Sequence, residues 1–203
     1  VARRREGEPL AYLLGEKEFY GRRFAVTPDV LVPRPDTESL VEVALKCLSR
    51  LTAPRVLELG TGSGCIAVTL QLERPDAYVV ATDVSAAALT VARANALDLA
   101  ARVTFQQGDW YAAVEPAEPF DLIVSNPPYV AAADSHLDAL KHEPAIALSD
   151  GRDGLQCLST LITGARAHLR AGSVAGRAAG RRRQRPPRRA HLGRRQQGRR
   201  PRP

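Results

Sequence analysis

Apolar and polar positions divide the chain into three stretches of different rhythm. In the middle stretch, short apolar runs alternate with longer segments of helical period. The runs 55–59, 77–82, 102–106 and 120–125 read as strands, and 65–73, 85–99 and 153–170 as helices. Pro75 stops the first helix and Ser85 is placed to cap the second. Apolar strands separated by helices predict an α/β fold, a parallel sheet with helices on both faces. Right-handed crossovers then bring every strand's carboxyl end to one edge, where ligands bind.

The first stretch has a different rhythm. Residues 1–16 read as a short helical segment ending near Gly15, and 17–26 alternate around Tyr20-Gly21, which predicts a β-hairpin. Pro28, Pro33 and Pro35 impose an extended connection. Asp36 is placed to cap a helix starting at Thr37, with Glu38 favourable at its positive end. Leu40, Val43, Ala44, Cys47, Leu48 and Leu51 form one apolar stripe along that helix.

After Gly172 the pattern stops. Residues 173–203 are Arg, Gly, Pro, Gln and Ala with almost no large apolar side chain, a composition expected to be disordered. One functional reading is a basic RNA-binding arm. The abrupt onset, where another strand is due, favours a segment of GC-rich DNA read out of frame. The sheet is then expected to be truncated after its fourth strand. On the order 3-2-1-4-5, residues 120–124 become an apolar edge prone to aggregate, and the chain is expected to be poorly soluble or inactive. It opens on Val1 and contains no Met, as expected of a chain lacking its natural N-terminus. The expected organisation is 1–36 as the remnant of an N-terminal helical domain with hairpin and connector, 37–172 as the main domain, and 173–203 as the tail.

Composition changes this picture in one respect. Residues 172–203 carry 12 of the 29 Lys and Arg and none of the 22 Asp and Glu. The body therefore holds 17 basic against 22 acidic residues, a net of −5, and the basic balance of the whole is no nucleic-acid signature of the fold. No run approaches the roughly 18 apolar residues of a membrane span, and no secretory signal follows the basic start. Cys47, Cys65 and Cys157 suggest neither disulfides nor a zinc site, but buried thiols in a reducing cytoplasm. His136, His142, His168 and His191 show no ligand spacing and are read as surface or helix positions.

Candidate chemistry gathers at the strand ends. Gly60-Thr61-Gly62-Ser63-Gly64 follows the first strand, where glycines let the backbone turn tightly and approach a ligand. The spacing departs from the dinucleotide fingerprint and resembles the G-x-G-x-G loop of class I methyltransferases. Asp83 ends the second strand; it can take ribose hydroxyls or cap the next helix, and Ser85 already fits the capping task. Asp109-Trp110 follows the third, an acceptor for an adenine amino group beside an aromatic face, with core packing the alternative for Trp110. S-adenosylmethionine is the cofactor this order suggests. The fourth strand leads into Asn126-Pro127-Pro128-Tyr129. The Asn126 side-chain oxygen and the Pro127 carbonyl can hold both hydrogens of a planar NH2 while Tyr129 packs on its plane, so that its lone pair faces a methyl donor.

The motif resembles the amino-methyltransferases of glutamine, adenine or guanine nitrogens. Pro9-Leu10-Ala11-Tyr12-Leu13-Leu14-Gly15, Glu18-Phe19-Tyr20-Gly21, Leu31-Val32-Pro33-Arg34-Pro35-Asp36-Thr37-Glu38, Asn126-Pro127-Pro128-Tyr129, and Glu143-Pro144-Ala145-Ile146-Ala147-Leu148 with Asp153-Gly154-Leu155 are similar to the bacterial peptide chain release factor N5-glutamine methyltransferases. The resemblance covers about residues 3–172. It implies a class I methyltransferase (Rossmann-like) fold and methylation of the glutamine in the Gly-Gly-Gln motif of class I release factors by a monomeric cytoplasmic enzyme. It further implies that Gly60 to Gly64, Asp83, Asp109, Trp110 and Asn126 bind the cofactor and Asn126, Pro127, Pro128 and Tyr129 the substrate. Glu58 stands where the family more often has Asp. Arg34 is expected to reach the cofactor carboxylate or the release factor, or to pair with Asp36 or Glu38. Residues 134–143 are read as a flap over the substrate. The alternatives are a DNA adenine or RNA guanine amino-methyltransferase, which would need a basic groove that the body lacks, and a non-catalytic nucleic-acid-binding fragment acting through the tail.

Overall fold

A computed structural model of the protein describes residues 2–115 and 118–177. Two short helices, α1 (Ala2–Arg5) and α2 (Leu10–Leu14), open the chain, separated by a turn at Gly7 and by Pro9, so the expected single helical segment is broken. The hairpin forms as expected, β1 (Glu16–Phe19) pairing antiparallel with β2 (Arg22–Ala25) across Tyr20-Gly21, both at positive φ. A 3-10 turn, Pro35–Thr37, precedes α3 (Glu38–Leu48). Asp36 lies inside that turn and makes no capping bond, because Pro35 already starts it. Glu38 instead accepts from the Tyr20 amide at 2.9 Å and fastens the hairpin to α3.

The domain then alternates. β3 (Arg55–Leu59), α4 (Cys65–Glu73), β4 (Tyr78–Asp83), α5 (Ala86–Asp98), β5 (Val103–Gln107) and β6 (Phe120–Ser125) fall within one or two residues of the expected bounds. Ser85 caps α5 through a bond from the Ala88 amide at 3.1 Å. After β6 come α6 (His136–Ala139), α7 (Ala145–Leu148), α8 (Gln156–His168) and β7 (Leu169–Arg177). The main sheet is wholly parallel with the order β5-β4-β3-β6-β7.

The fifth strand corrects the expectation of a sheet that stops after β6. Phe120 pairs with Leu169 and Leu122–Ser125 pair with Val174–Arg177, with an irregularity between the two sets. An unpaired parallel edge offers a full row of backbone donors and acceptors, and a segment poor in apolar side chains can still satisfy it. Residues 173–177, read as the start of the tail, belong to this strand. With β6 covered, the ground for expecting aggregation at 120–124 is removed. The expectations for residues 178–203 lie outside the described residues.

Side-chain alternation splits the core into two layers. On one face Val56, Val79, Ala81, Leu122 and Val124 pack under the hairpin, α3 and α4. On the other, Leu57, Leu59, Val80 and Ile123 pack under Leu161 and Ala165 of α8, joined at its border by Trp110 and Tyr111. Helix α4 is buried from Cys65 through Gln71, as a helix apolar on every side must be. The α3 stripe is rotated from the expected one. Leu40, Val41, Ala44 and Leu48 are buried, while Val43 is 50% exposed and Leu51 40%, and Cys47 is also exposed. Hairpin residues Phe19 and Phe24, in edge contact at 6.1 Å between ring centres, take up the facing surface. His168, expected at a surface or helix position, is a helix residue but buried, stacked on Tyr111 at 4.5 Å. Among the described residues no helix is long and apolar enough to cross a membrane.

One buried amide fastens the hairpin to the domain. Asn95 on α5 accepts from the Ala25 amide at 2.7 Å and donates to the carbonyls of Ala25 at 3.0 Å and Ser63 at 2.9 Å. Replacing it leaves a donor and two acceptors without partners. Asn95→Leu is expected to cost about 3 kcal/mol, read as a lower urea midpoint at unchanged slope; an unchanged midpoint would mean that Asn95 bears no such load.

Candidate active site

The carboxyl ends of β3, β4, β5 and β6 open into one cavity of about 440 Å³. Gly60, Thr61, Gly62, Ser63, Asp83, Asp109, Trp110, Asn126 and Pro128 line it, so nine residues singled out from the sequence share one space. Gly64, Pro127 and Tyr129 do not line it. Pro127 is buried, and Tyr129 is 47% exposed.

The glycine loop is held from both sides. Leaving β3, the Gly60 and Thr61 amides both donate to the Thr82 carbonyl at 2.9 Å. Gly60, Gly62 and Gly64 all take positive φ, a conformation that costs other residues roughly 1 kcal/mol. Gly64 also stands so close to α5 that a Cβ would lie 3.1 Å from that of Ala92. The Ser63 carbonyl is fixed by Asn95. Asp83 accepts the Gly62 amide at 2.9 Å on one oxygen and the Ser85 amide at 2.9 Å on the other. Helix capping falls to Ser85, which leaves the remaining Asp83 lone pairs for a ligand. Trp110, at φ 47°, lies beside Gly60, where a Cβ would approach its ring to 4.0 Å.

Sequence reasoning missed the role of Glu58. It is fully buried at the penultimate position of β3, and one oxygen accepts from the Thr61 hydroxyl at 2.6 Å and the Ala67 amide at 3.0 Å. Its other oxygen has no partner among the described residues, and the residue lines the cavity. Burial pushes its carboxyl up to about 8, against the lowering effect of those two bonds. The signals in the sequence were a charged residue inside a mostly apolar strand, Arg55-Val56-Leu57-Glu58-Leu59, and its place where the resembled family more often has Asp.

The roof of the cavity also escaped prediction. Val30, Leu31, Pro33 and Arg34 of the connector and Pro144, Ile146 and Ala147 also line it. The two segments are joined by Glu143, whose buried carboxylate accepts the Val32 amide at 3.0 Å and the Arg34 guanidinium at 2.5 Å. Arg34 thus pairs with neither Asp36 nor Glu38. Residues 134–143, read as a flap, end in this anchor, and His142 bonds the Glu6 carbonyl at 3.0 Å. Among the described residues no group of His, Cys, Asp and Glu is placed to hold a metal ion.

Residues 36–174 match the profile of the family described as the methyltransferase small domain. The chain is 57% identical over 176 residues to the release factor glutamine methyltransferase of Bordetella pertussis, covering 86% of this chain and 65% of that protein. It is 55% identical over 173 residues to the protein of the same name from Neisseria gonorrhoeae, covering 84% and 63%. The chain therefore spans just under two thirds of the length of these relatives. Among solved structures it is similar to a methyltransferase from Pyrococcus furiosus, with TM-score 0.59 and 23% identity over 86% of this chain and 78% of that one. It is also similar to the 16S rRNA N2 G1207 methyltransferase of Thermus thermophilus, solved with AdoMet and guanosine, with TM-score 0.57 and 23% identity over 79% and 40%. At that identity the likeness is one of fold.

The Glu58 shift carries a sign that can be checked. Below the ordinary carboxylate value of about 4.3, Glu58 is protonated in both folded and unfolded chains. Between there and about 8, the unfolded chain has lost the proton and the folded one keeps it, so stability falls as pH rises through this window. Glu58→Gln is expected to flatten that fall, measured as urea midpoints from pH 5 to 8. A variant that keeps the wild-type slope would remove Glu58 as its source.

Proposed function

The chain belongs to the methyltransferase small domain family, and from that membership we propose that it transfers a methyl group from S-adenosylmethionine to the side-chain amide nitrogen of a protein glutamine. The proposed substrate is the Gly-Gly-Gln glutamine of class I peptide chain release factors. The observation that carries the reading is the meeting of the glycine loop, Asp83, Asp109-Trp110 and Asn126 in one cavity. Relatives named release factor glutamine methyltransferases, at 45–57% identity, support the choice of substrate. The body's net charge of −5 argues against a nucleic-acid substrate.

The donor set fits S-adenosylmethionine. The unpartnered Glu58 oxygen suits the amino group of its methionine part, and backbone at Gly60 and Gly62 has no Cβ to bar close approach. Asp83 is fixed by two backbone amides and keeps acceptors free for ribose hydroxyls. Asp109 and Trp110 offer an acceptor and an apolar face to an adenine ring. When bound, the cofactor supplies a methyl group on a positively charged sulfur.

The rest falls to this chain's residues. An amide nitrogen is a poor nucleophile because its lone pair is delocalised. Asn126 and the Pro127 carbonyl are proposed to hold the two amide hydrogens, which fixes the plane and turns the lone pair toward the methyl donor. Pro127 and Pro128 stiffen the loop and bring no competing N–H donor. Ser125 aims it, donating its hydroxyl to the Leu59 carbonyl at 2.7 Å. Connector and α7 residues line the cavity beside these groups. As the nitrogen–methyl bond forms and the sulfonium carbon–sulfur bond breaks, the nitrogen sheds one of its two hydrogens to water as a proton; orientation and desolvation, rather than a strong base, are the source of rate in this reading.

Transfer of labelled methyl to a class I release factor tests it. Labelling is expected with the intact factor and absent when the Gly-Gly-Gln glutamine is replaced. Asn126→Ala is expected to slow transfer about 100-fold. Labelling independent of that glutamine, or none at all, would reject the assignment.

A further inference from the structure

The segment 149–156 makes contacts that the reaction scheme above does not use. It runs from the end of α7 to the start of α8 and lies against the backbone that follows Asn126-Pro127-Pro128. The Val130 amide donates to the Leu148 carbonyl at 3.0 Å, and Val130 and Ser149 form an isolated parallel bridge. The Ala132 amide donates to the Arg152 carbonyl at 2.8 Å. Gly154 is buried at φ 81°, and a Cβ there would lie 2.4 Å from the Tyr129 carbonyl oxygen and 2.9 Å from its carbon. Neither partner is the end of a flexible side chain, so one backbone would have to move.

One carboxylate shapes the segment. Asp150 accepts the Arg152 amide at 2.8 Å and the Gly154 amide at 3.0 Å on one oxygen, and the Gln156 amide at 3.0 Å on the other. Burial would raise its carboxyl, but the three amides outweigh that and hold it below the usual range. Asp150 therefore curls 150–156 into the turn that brings Gly154 against Tyr129 and opens α8.

Resting on the proposed glutamine methylation, we propose that Asp150 and Gly154 are positioning residues that set the place of the Tyr129 carbonyl and with it the geometry of the Asn126-Pro127-Pro128-Tyr129 loop. The loop leaves β6 anchored at Ser125 and is caught again at Tyr129 to Ala132. Its two ends fix the direction of the Asn126 side chain and the Pro127 carbonyl between them. Asp150 and Asn126 line the cavity, whereas Gly60 to Gly64, Asp83, Asp109 and Trp110 stand on other strand ends.

Gly151 provides the control. It has nearly the same backbone, φ 73°, but a Cβ there would meet nothing within 4 Å. Three variants of the full chain, Gly154→Ala, Asp150→Ala and Gly151→Ala, are compared in methyl transfer to a release factor. S-adenosylhomocysteine affinity is measured by calorimetry, and amide hydrogen exchange at Val130 and Ala132 is followed in the same proteins. Gly154→Ala is expected to lower kcat about 100-fold with S-adenosylhomocysteine affinity within about twofold, and Asp150→Ala about tenfold, both with faster exchange at the two amides. Gly151→Ala is expected to change none of these by more than about threefold. Wild-type kcat and exchange in Gly154→Ala would overturn the proposal. So would parallel losses of affinity and kcat in that variant, or equal losses in Gly151→Ala, which mark a general structural defect. If the unaltered chain transfers no methyl, the substrate assignment fails on its own. The exchange comparison still decides the clamp: faster exchange in Gly154→Ala and Asp150→Ala but not in Gly151→Ala upholds it, and any other pattern overturns it.

Discussion

Burial of β3 between two layers of helices constrains everything that follows it. Its side chains from Val56 to Leu59 are inaccessible, so the strand can end only by turning sharply where the sheet meets solvent. The backbone freed by that turn must find partners, and it does so in the neighbouring strand, at the Thr82 carbonyl, and in the Asp83 carboxylate. The positive φ values of Gly60, Gly62 and Gly64 follow from the tightness of the turn, and the buried start of α4 follows from its direction. Site and core are therefore one object. Glu58, one residue before the end of that strand, lines the cavity and has an oxygen without a partner among the described residues.

The same coupling recurs at the other strand ends. Asp83 orders the glycine loop and the entry to α5 through two amides of different elements. Asn95 couples the hairpin to the Ser63 carbonyl, so a peripheral two-stranded sheet and the loop share a fastening. Ser125 joins the ends of β6 and β3. Each of these polar groups is satisfied by backbone rather than by another side chain, which fixes loop shape without demanding a particular neighbour.

What could be read from the sequence was what depends on local periodicity. Strands β3 and β6 and helix α4 fall where the pattern puts them, because each is mostly apolar and β3 and α4 are bounded by strong breakers such as Gly60 and Pro75. The nine cavity-lining residues were legible because strand ends in a parallel sheet share an edge by geometry. The α3 stripe was misplaced by part of a turn, since Val43 and Leu51 are as apolar as Val41 and only the hairpin's position selects among them. Strand β7 was illegible for a different reason. Leu169-Arg170-Ala171-Gly172-Ser173 has no alternation, and the strand is set by the open backbone edge of β6 rather than by its own side chains. Glu143 read as part of a polar loop because its partners, Val32 and Arg34, lie more than a hundred residues earlier.

That last separation gives the site an order in time. A chain made from its N-terminus exposes the connector at Val32 and Arg34 long before Glu143 exists, 111 residues after Val32. The glycine loop and the pairing of β3, β4 and β5 can assemble in that interval, since those bonds join residues up to Gly108, while the pairing of the end of β3 with β6 waits for Ser125. The roof cannot, because its joint needs both segments and the closure of a long loop. A nascent chain thus owns the open floor of its cavity first. It acquires an enclosed chamber only when the carboxylate of Glu143 reaches back to the beginning.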